Sequence, residues 1–335
     1  MPFWTARQAD VAGIGIVAAL AAWFALGAGD GEVTSLPGPA LALLAAIVGA
    51  AVVGRTLTDR SIPVAGPIAF AVLATFVLTY PGLLSAAGAP TGYANANATL
   101  AAVGTLAAVA AARLADPGRA RQAWVVAAGA LAGVTAATGS VAGTVALAVA
   151  AALVAAGRRP DRAPAVPIAG FLLVFMTIAV TAAVAVGGAD GVRAGDEVRA
   201  DLWSAAADLA REEPLWGLGI GAFEAQNPVS DDADLRWAHH EYLEVALEAG
   251  APGLVLVLAL AAWVAARLWT AIPQHPVLAT AAVGAATMVG LHGAVDHVWH
   301  RPAPIVLAAA LIGAATAAGR PATLLHPADE GGHWV

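Results

Sequence analysis

An all-α polytopic membrane protein, with about ten transmembrane helices and one large extracytoplasmic loop, is the fold class this sequence predicts. Three observations carry it. Of the 335 residues, 60% are apolar and only 12% charged, about half the charged share of an ordinary soluble domain, roughly 25%. The apolar residues fall into ten blocks near the ~20-residue length of a membrane crossing. The basic residues alternate from one inter-block segment to the next, as short cytoplasmic and outer loops do. This composition excludes a soluble enzyme, a disordered chain and a disulfide scaffold. The absence of cysteine removes thiolate metal sites, iron–sulfur clusters and cysteine nucleophiles. A net charge of −7 argues against nucleic acid as a partner.

The blocks span residues 11–29, 37–54, 64–84, 97–114, 122–137, 140–156, 165–187, 251–269, 277–297 and 303–318. The first has a thin basic start at Arg7 and no small-residue cleavage pattern, so it reads as a span and not a signal peptide. Thr138-Gly139-Ser140 breaks the fifth from the sixth as a tight turn. All sixteen basic residues are arginine. With the N-terminus in the cytoplasm, Arg7, Arg55, Arg60, Arg113, Arg119, Arg121, Arg158, Arg159, Arg162, Arg267 and Arg320 fall inside, and no outer segment before residue 187 holds one. The chain therefore divides into helices 1–7 (residues 1–187), an outer loop (188–250), and helices 8–10 with a short cytoplasmic tail (251–335).

The loop is long enough to expect a function, and it holds fourteen of the 23 acidic residues. Val198, Leu202, Ala205 and Leu209 recur at helical spacing over 198–212, predicting an amphipathic helix along the membrane surface that Pro214 ends. A second helix, 239–249, runs into the span near Gly250. The glycines of PLWGLGIGAF (214–223) read as close backbone packing or a tight turn, since no strand precedes them as a nucleotide fingerprint requires. Trp203, Trp216 and Trp237 read as interfacial aromatics, with sugar stacking as a secondary role. No 20–50-residue repeat is visible.

Two polar clusters carry the candidate chemistry. The first is AHHEYLEVALEAG, 238–250, at the outer mouth of a span, with His239 in the first turn of its helix. His240 and Glu244 stand one turn apart, but the zincin pattern H-E-x-x-H is absent and no third ligand is specified nearby, so no metal and no cofactor is expected. The second cluster closes the ninth block: His292, Asp296, His297, Trp299, His300 and Arg301, with His292, Asp296 and His300 at successive i, i+4 positions on one face. Ionisable groups at membrane depth are costly, and they face a cavity or a partner. Water at a helix end accounts for the second cluster as well as a site does. Charges gathered at the outer face, not mid-membrane, disfavour a transporter.

These segments together resemble the O-antigen ligase and O-antigen polymerase family of bacterial membrane glycosyltransferases. The motif histidine, followed two residues on by x-x-Leu and then a glycine, matches His239-His240-Glu241-Tyr242-Leu243 and Gly250. Arg199, Trp203, Pro214, Gly217, Gly219, Gly221 and Phe223 match the family's R-x-x-x-W … P-x-x-G-x-G-x-x-x-F run; Tyr93-Ala94-Asn95-Ala96-Asn97 resembles its N-P-N-like segment, and Asp296 to Pro302 its D-x-x-x-x-x-P element. Two positions depart: His240 stands where a small polar residue is usual, and Ser140-Val141-Ala142-Gly143 replaces S-R-G, losing an arginine placed near the lipid diphosphate.

The resemblance implies a multi-pass protein of the bacterial inner (cytoplasmic) membrane with its active site facing outside. It implies a metal-independent, inverting transfer from a polyprenyl (undecaprenyl) diphosphate-linked glycan to a hydroxyl on a glycan or lipid-linked glycan acceptor, as in lipopolysaccharide and other cell-envelope polysaccharide biosynthesis. Ligase and repeat-unit polymerase both fit; a transporter or flippase of lipid-linked glycan is the reading outside the family. His239 is then the general base, its neutral ring favoured by the helix N-terminus, with Glu241 and Glu244 pulling the other way. Arg199, Arg211, Arg236 and Arg301 hold the diphosphate, and His240, His292, Asp296 and His300 line the site. Membrane lipids are the remaining partner.

Overall fold

The computed structural model describes residues 6–27, 38–59, 64–83, 89–159, 161–187, 197–229 and 235–317. Among the described residues every regular element is helical, as a chain without water to satisfy its backbone requires. Each of the ten apolar blocks is one helix: α1 Ala6–Gly27, α2 Gly38–Asp59, α3 Ala65–Leu83, α4 Ala94–Leu114, α5 Arg119–Ala137, α6 Val141–Ala156, α7 Val166–Gly187, α10 Glu241–Ala271, α11 Pro276–Gly293 and α12 Pro302–Ala315. Two more, α8 Glu197–Glu212 and α9 Ala222–Gln226, belong to the loop segment.

Six of these helices (α1, α2, α4, α7, α10 and α11) are long and apolar enough to cross a membrane, and α3, α6 and α12 contain shorter apolar helices. Their outer faces carry bare Ile14, Phe70, Leu78, Val126 and Met176, a display that water would punish and acyl chains cover. The chain is a helical membrane protein. The turn between α5 and α6 forms at Thr138–Ser140: Gly139 takes φ 74° and Ser140 caps α6 by accepting from Gly143 N–H at 3.0 Å.

Helices α4 and α11 are the buried centre. Helix α4 is mostly alanine, so α3, α5, α6, α11 and α12 all approach it closely, around Leu106, Leu131 and Met288. At one end of the bundle Asp10 accepts from Arg55 at 3.0 Å and pairs with Arg267 at 3.2 Å, and Trp263 Nε1 donates to Ala9 O at 2.7 Å. The start of α1 and the ends of α2 and α10 therefore meet there. Arg60, Arg193, Arg320, the side chain of Arg7 and loop stretches 188–196 and 230–234 lie outside the described residues.

Three boundaries differ from the sequence reading. The 239–249 helix runs into the eighth span, as the sequence reading has it, but it starts at Glu241 and breaks at Gly250. Helix α11 stops at Gly293: Ala294 caps it, and Val295 N–H bonds His292 O in a turn. The stretch beyond it turns back in a 3-10 turn, Val298–His300, so His292, Asp296 and His300 do not share a helix face. Helix α8 buries Ala200, Leu202, Trp203, Ala206 and Ala207 and leaves Val198 exposed, so its apolar stripe is turned from the expected 198/202/205/209 line and packs on α7 and α10. Trp203 decides that rotation, because its ring is the largest apolar surface on the helix.

Candidate functional site

At the end of the bundle opposite Asp10, four segments meet at one buried carboxylate. Asp296 accepts at Oδ1 from Tyr93 Oη (2.6 Å) and His297 N–H (2.7 Å), and at Oδ2 from Asn95 Nδ2 and Arg199 Nη2 (3.1 Å). His239 Nδ1 lies 3.6 Å from Oδ1, and His297 Nδ1 3.1 Å from it. The two imidazoles approach each other edge to face, Nδ1 to Nδ1 at 3.3 Å. Burial alone would raise the Asp296 carboxyl, but His297, Tyr93 and the Arg199 charge outweigh it and hold it well below the usual carboxylate range. Burial and the adjoining carboxylate push the Tyr93 phenol up, and burial pushes His297 down despite Asp296.

The two adjacent histidines face opposite ways. His239 has φ 52°, a left-handed backbone that costs a non-glycine residue roughly 1–2 kcal/mol. Such strain persists where surrounding contacts enforce it, and here Trp203 Nε1 grips the His239 carbonyl at 2.9 Å. His240 has returned to extended backbone and caps α10, its Nδ1 accepting from Leu243 N–H at 3.2 Å. That leaves Nε2–H to donate to Thr181 Oγ1 at 2.7 Å. Burial lowers its pKa to about 4, a neutral capping imidazole. His239 therefore precedes the helix by two residues and is not in its first turn; the N-terminal dipole acts on His240.

The glycine run is a backbone-to-backbone joint. Helix α10 breaks at Gly250 (φ 65°, ψ −177°), a region open essentially to glycine alone. The carbonyls freed by the break receive the loop: Leu218 N–H donates to Leu247 O at 2.8 Å, Gly219 N–H to Glu248 O at 3.0 Å, and Ala251 N–H to Pro214 O at 2.8 Å. A Cβ on Gly217 would strike the Glu248 carbonyl. Glu248 Oε1 returns a bond, accepting from Gly221 N–H at 2.8 Å. The joint fixes α9, and with it Phe223, under the His239 turn.

A second polar group adjoins the first. His300 Nε2 meets Glu244 Oε1 at 2.9 Å and Glu241 Oε2 at 3.8 Å, while Trp299 N–H donates to Glu241 Oε1. Burial would lower His300, but Glu244, Glu241 and Glu248 raise it to about 9. Trp237 spans both groups, stacked 4.6 Å from His297 and 5.0 Å from His300. The guanidinium groups of Arg236 and Arg301 lie 4.8 and 5.8 Å from the Trp237 ring centre, Arg236 also bonding Glu224. His300 and Arg301 border a cavity of about 440 Å³ lined mainly by apolar side chains such as Val72, Leu100 and Leu307, with Thr75 and Thr91 among them.

Of the residues expected from sequence, His239, Asp296 and Arg199 thus meet directly, and Arg236, Arg301 and His300 join them through Trp237. Two do not. Arg211 pairs with Asp208 on the exposed side of α8. His292 faces the bundle interior, its Nδ1 2.6 Å from Thr99 Oγ1. Sequence reasoning assigned no role to Tyr93, Asn95 or His297, and did not see that Glu241 and Glu244 meet His300. Trp203 and Trp237, expected at the interface, are instead a buried anchor and a stacking plate. His239, Asp296 and His297 could hold a metal by their spacing, and so could Glu241, Glu244 and His300.

No curated protein matches the chain. Residues 125–258, from within α5 to within α10 and including Arg199, the glycine joint and His239, match the family model of O-antigen ligase, and over that stretch the chain is similar to the O-antigen ligase family.

Proposed function

We propose that the chain transfers a glycan from a polyprenyl diphosphate donor to a hydroxyl of a glycan or lipid-linked glycan acceptor, at the outer face of the bacterial cytoplasmic membrane. The observation that carries this reading is the convergence of His239, Asp296 and Arg199 at one end of the bundle, two of them inside the family match and one beyond it. His239 takes the proton of the acceptor hydroxyl as its oxygen bonds to the anomeric carbon. The bond from that carbon to the diphosphate breaks, inverting the centre, and polyprenyl diphosphate leaves. Arg199, with Arg236 and Arg301, meets the charge that develops on it. Asp296 orients the imidazoles and stabilises the imidazolium, as a triad carboxylate does. Arg211, occupied by Asp208, is left outside this clamp.

The accompanying topology is ten crossings with both termini cytoplasmic and residues 188–250 outside. The Asp10 cluster joins three helix ends on one side, and the Asp296 cluster joins the starts of α4 and α10 to the end of α11 on the other, as that alternation requires. Reporter fusions at residues 158 and 230 should report opposite sides. The chemistry is tested with purified donor: His239→Ala should fold, bind donor and lose about 10²-fold or more in transfer. Near-normal transfer would reject the base.

A further inference from the structure

In sequence, Glu241 and Glu244 are two acidic side chains on one helical turn with no third ligand in view. The fold supplies one from 56 residues on. The segment after α11 crosses the start of α10 and sets His300 Nε2 2.9 Å from Glu244 Oε1 and 3.8 Å from Glu241 Oε2. The donor atoms of the three side chains lie within 4.8 Å of one another. Each carboxylate is oriented by the main chain through its other oxygen: Trp299 N–H holds Glu241 Oε1, and Ala238 N–H holds Glu244 Oε2 at 3.3 Å. This is how outer contacts fix the ligands of metal sites. What remains facing inward is Glu241 Oε2, Glu244 Oε1 and His300 Nε2. Glu241 is only 3% exposed, and its Oε2 stands beyond hydrogen-bonding range of His300.

The charge balance points the same way. Glu241, Glu244 and Glu248 share one face of α10, and a single imidazole, His300, reaches the first two. Two buried carboxylates on one imidazole leave room for a further positive charge. His300 is the exposed member and borders the 440 Å³ cavity, which gives an ion a way in.

We propose that Glu241, Glu244 and His300 bind one divalent cation of the Mn²⁺ or Zn²⁺ class. Two carboxylate oxygens and one imidazole nitrogen suit these ions better than Ca²⁺, which prefers an all-oxygen shell, or Cu⁺, which prefers sulfur. The ion replaces the proton that His300 otherwise shares with Glu244. It ties the start of α10, two residues after His239, to the turn four residues after Asp296. Its role is to clamp together the two segments that make up the Asp296 cluster, and this does not depend on which glycan is transferred.

The test uses the full chain in nanodiscs, stripped with chelator and titrated with MnCl₂, following free Mn²⁺ by electron paramagnetic resonance and unfolding by a thermal melt. One Mn²⁺ per chain should bind, raise the melting temperature and be displaced by Zn²⁺. Glu244→Gln and His300→Ala should each weaken binding about tenfold or more, while Glu224→Gln, an exposed acid paired with Arg236, should bind as the parent does. Spin-echo modulation of the bound Mn²⁺ in the unaltered protein should register one imidazole nitrogen, a readout independent of whether any variant folds. No binding below about 1 mM, the weak end of extracellular cation sites, overturns the proposal. So does binding that Glu244→Gln leaves unchanged, or a signal from no imidazole or from two, the last assigning the ion to His239 and His297.

Discussion

The two ends of the bundle are each organised around one aspartate, and the same side chain is used in opposite ways. Asp10 is about a third exposed and meets two arginines on a single oxygen, at 3.0 and 3.2 Å. Full charges pair there, one carboxylate between two guanidinium groups, and what the arrangement does is tie α1, α2 and α10. Asp296 is fully buried, and four of its five donors, from Tyr93, Asn95 and the backbone and ring of His297, carry no formal charge. Its one permanent cation, Arg199, is 30% exposed and reaches in from the loop helix. A carboxylate neutralised by partners on packed helices is structural. One kept ionised by many weak donors beside two imidazoles and a partly exposed guanidinium retains the capacity to stabilise charge that appears during a reaction.

The largest effect that sharpens this contrast is expected at Asp296. Asp296→Asn keeps the shape and most of the acceptor contacts but removes the charge that would stabilise a His239 or His297 imidazolium. Transfer should fall about 10²-fold or more with donor binding kept, by analogy with the loss of a base's orienting carboxylate. Single-turnover transfer in nanodiscs measures it. A variant within threefold of the parent would make Asp296 a structural tie like Asp10.

Next in size is Arg199→Lys. The charge is kept, but the planar fork that can serve Asp296 and a diphosphate oxygen together is lost. About a tenfold fall in transfer is expected, accompanied by weaker donor binding. If Arg199→Lys is fully active while Arg199→Ala is not, a point charge suffices and no fork is in use.

The difference between the two ends also explains what the sequence could say. Composition made the apolar helices legible, because a bilayer demands length and polarity of a crossing, and six of them are long and apolar enough to be one. Boundaries failed where polar residues resume: nothing local marks Gly293 as a stop, and the i, i+4 spacing of His292, Asp296 and His300 looks like a helix face until the 3-10 turn at Val298 bends it away. His239, Arg199 and Asp296 were found through motif resemblance. Tyr93 and Asn95 were noticed in the same way but given no role, since a contact across 203 residues has no local signature. His297 and the Glu241–Glu244–His300 group were missed for the same reason. The signal available was a run of three histidines within four residues of Asp296, on the heels of a helix.

A smaller effect is expected at His240, the neighbour of the proposed base. Its ring caps α10 through Nδ1 and bonds Thr181 through Nε2, a structural duty on both nitrogens. His240→Asn retains a capping acceptor and should transfer within about threefold of the parent. His240→Ala removes the cap and should cost about 1 kcal/mol of stability, the usual value for a lost N-cap. Thermal melts and transfer assays on both variants separate the two contributions. A selective loss of transfer in the Asn variant would move the base one residue along.

The smallest effect on chemistry is expected at the opposite end. Asp10→Asn leaves an oxygen for Arg55 and Arg267 but removes the charge that balances them. Because Asp10 is partly solvated, the cost is that of a surface-screened pair, about 1 kcal/mol or less. Arg267 is nearly buried, with a side chain 9% exposed, but it sits at a helix end where its long stem lets the head reach water. The variant should therefore melt slightly lower, more so at low salt than at high, and transfer glycan within about twofold of the parent. A large loss of transfer in a protein that still melts cooperatively would show that the Asp10 end is coupled to the Asp296 end through α10, the helix whose start carries the cap beside His239 and whose last turns carry Arg267. The break at Gly250 lies between them, so such coupling would have to pass through the glycine joint; Gly217→Ala, which pushes a methyl against the Glu248 carbonyl, should then reproduce it.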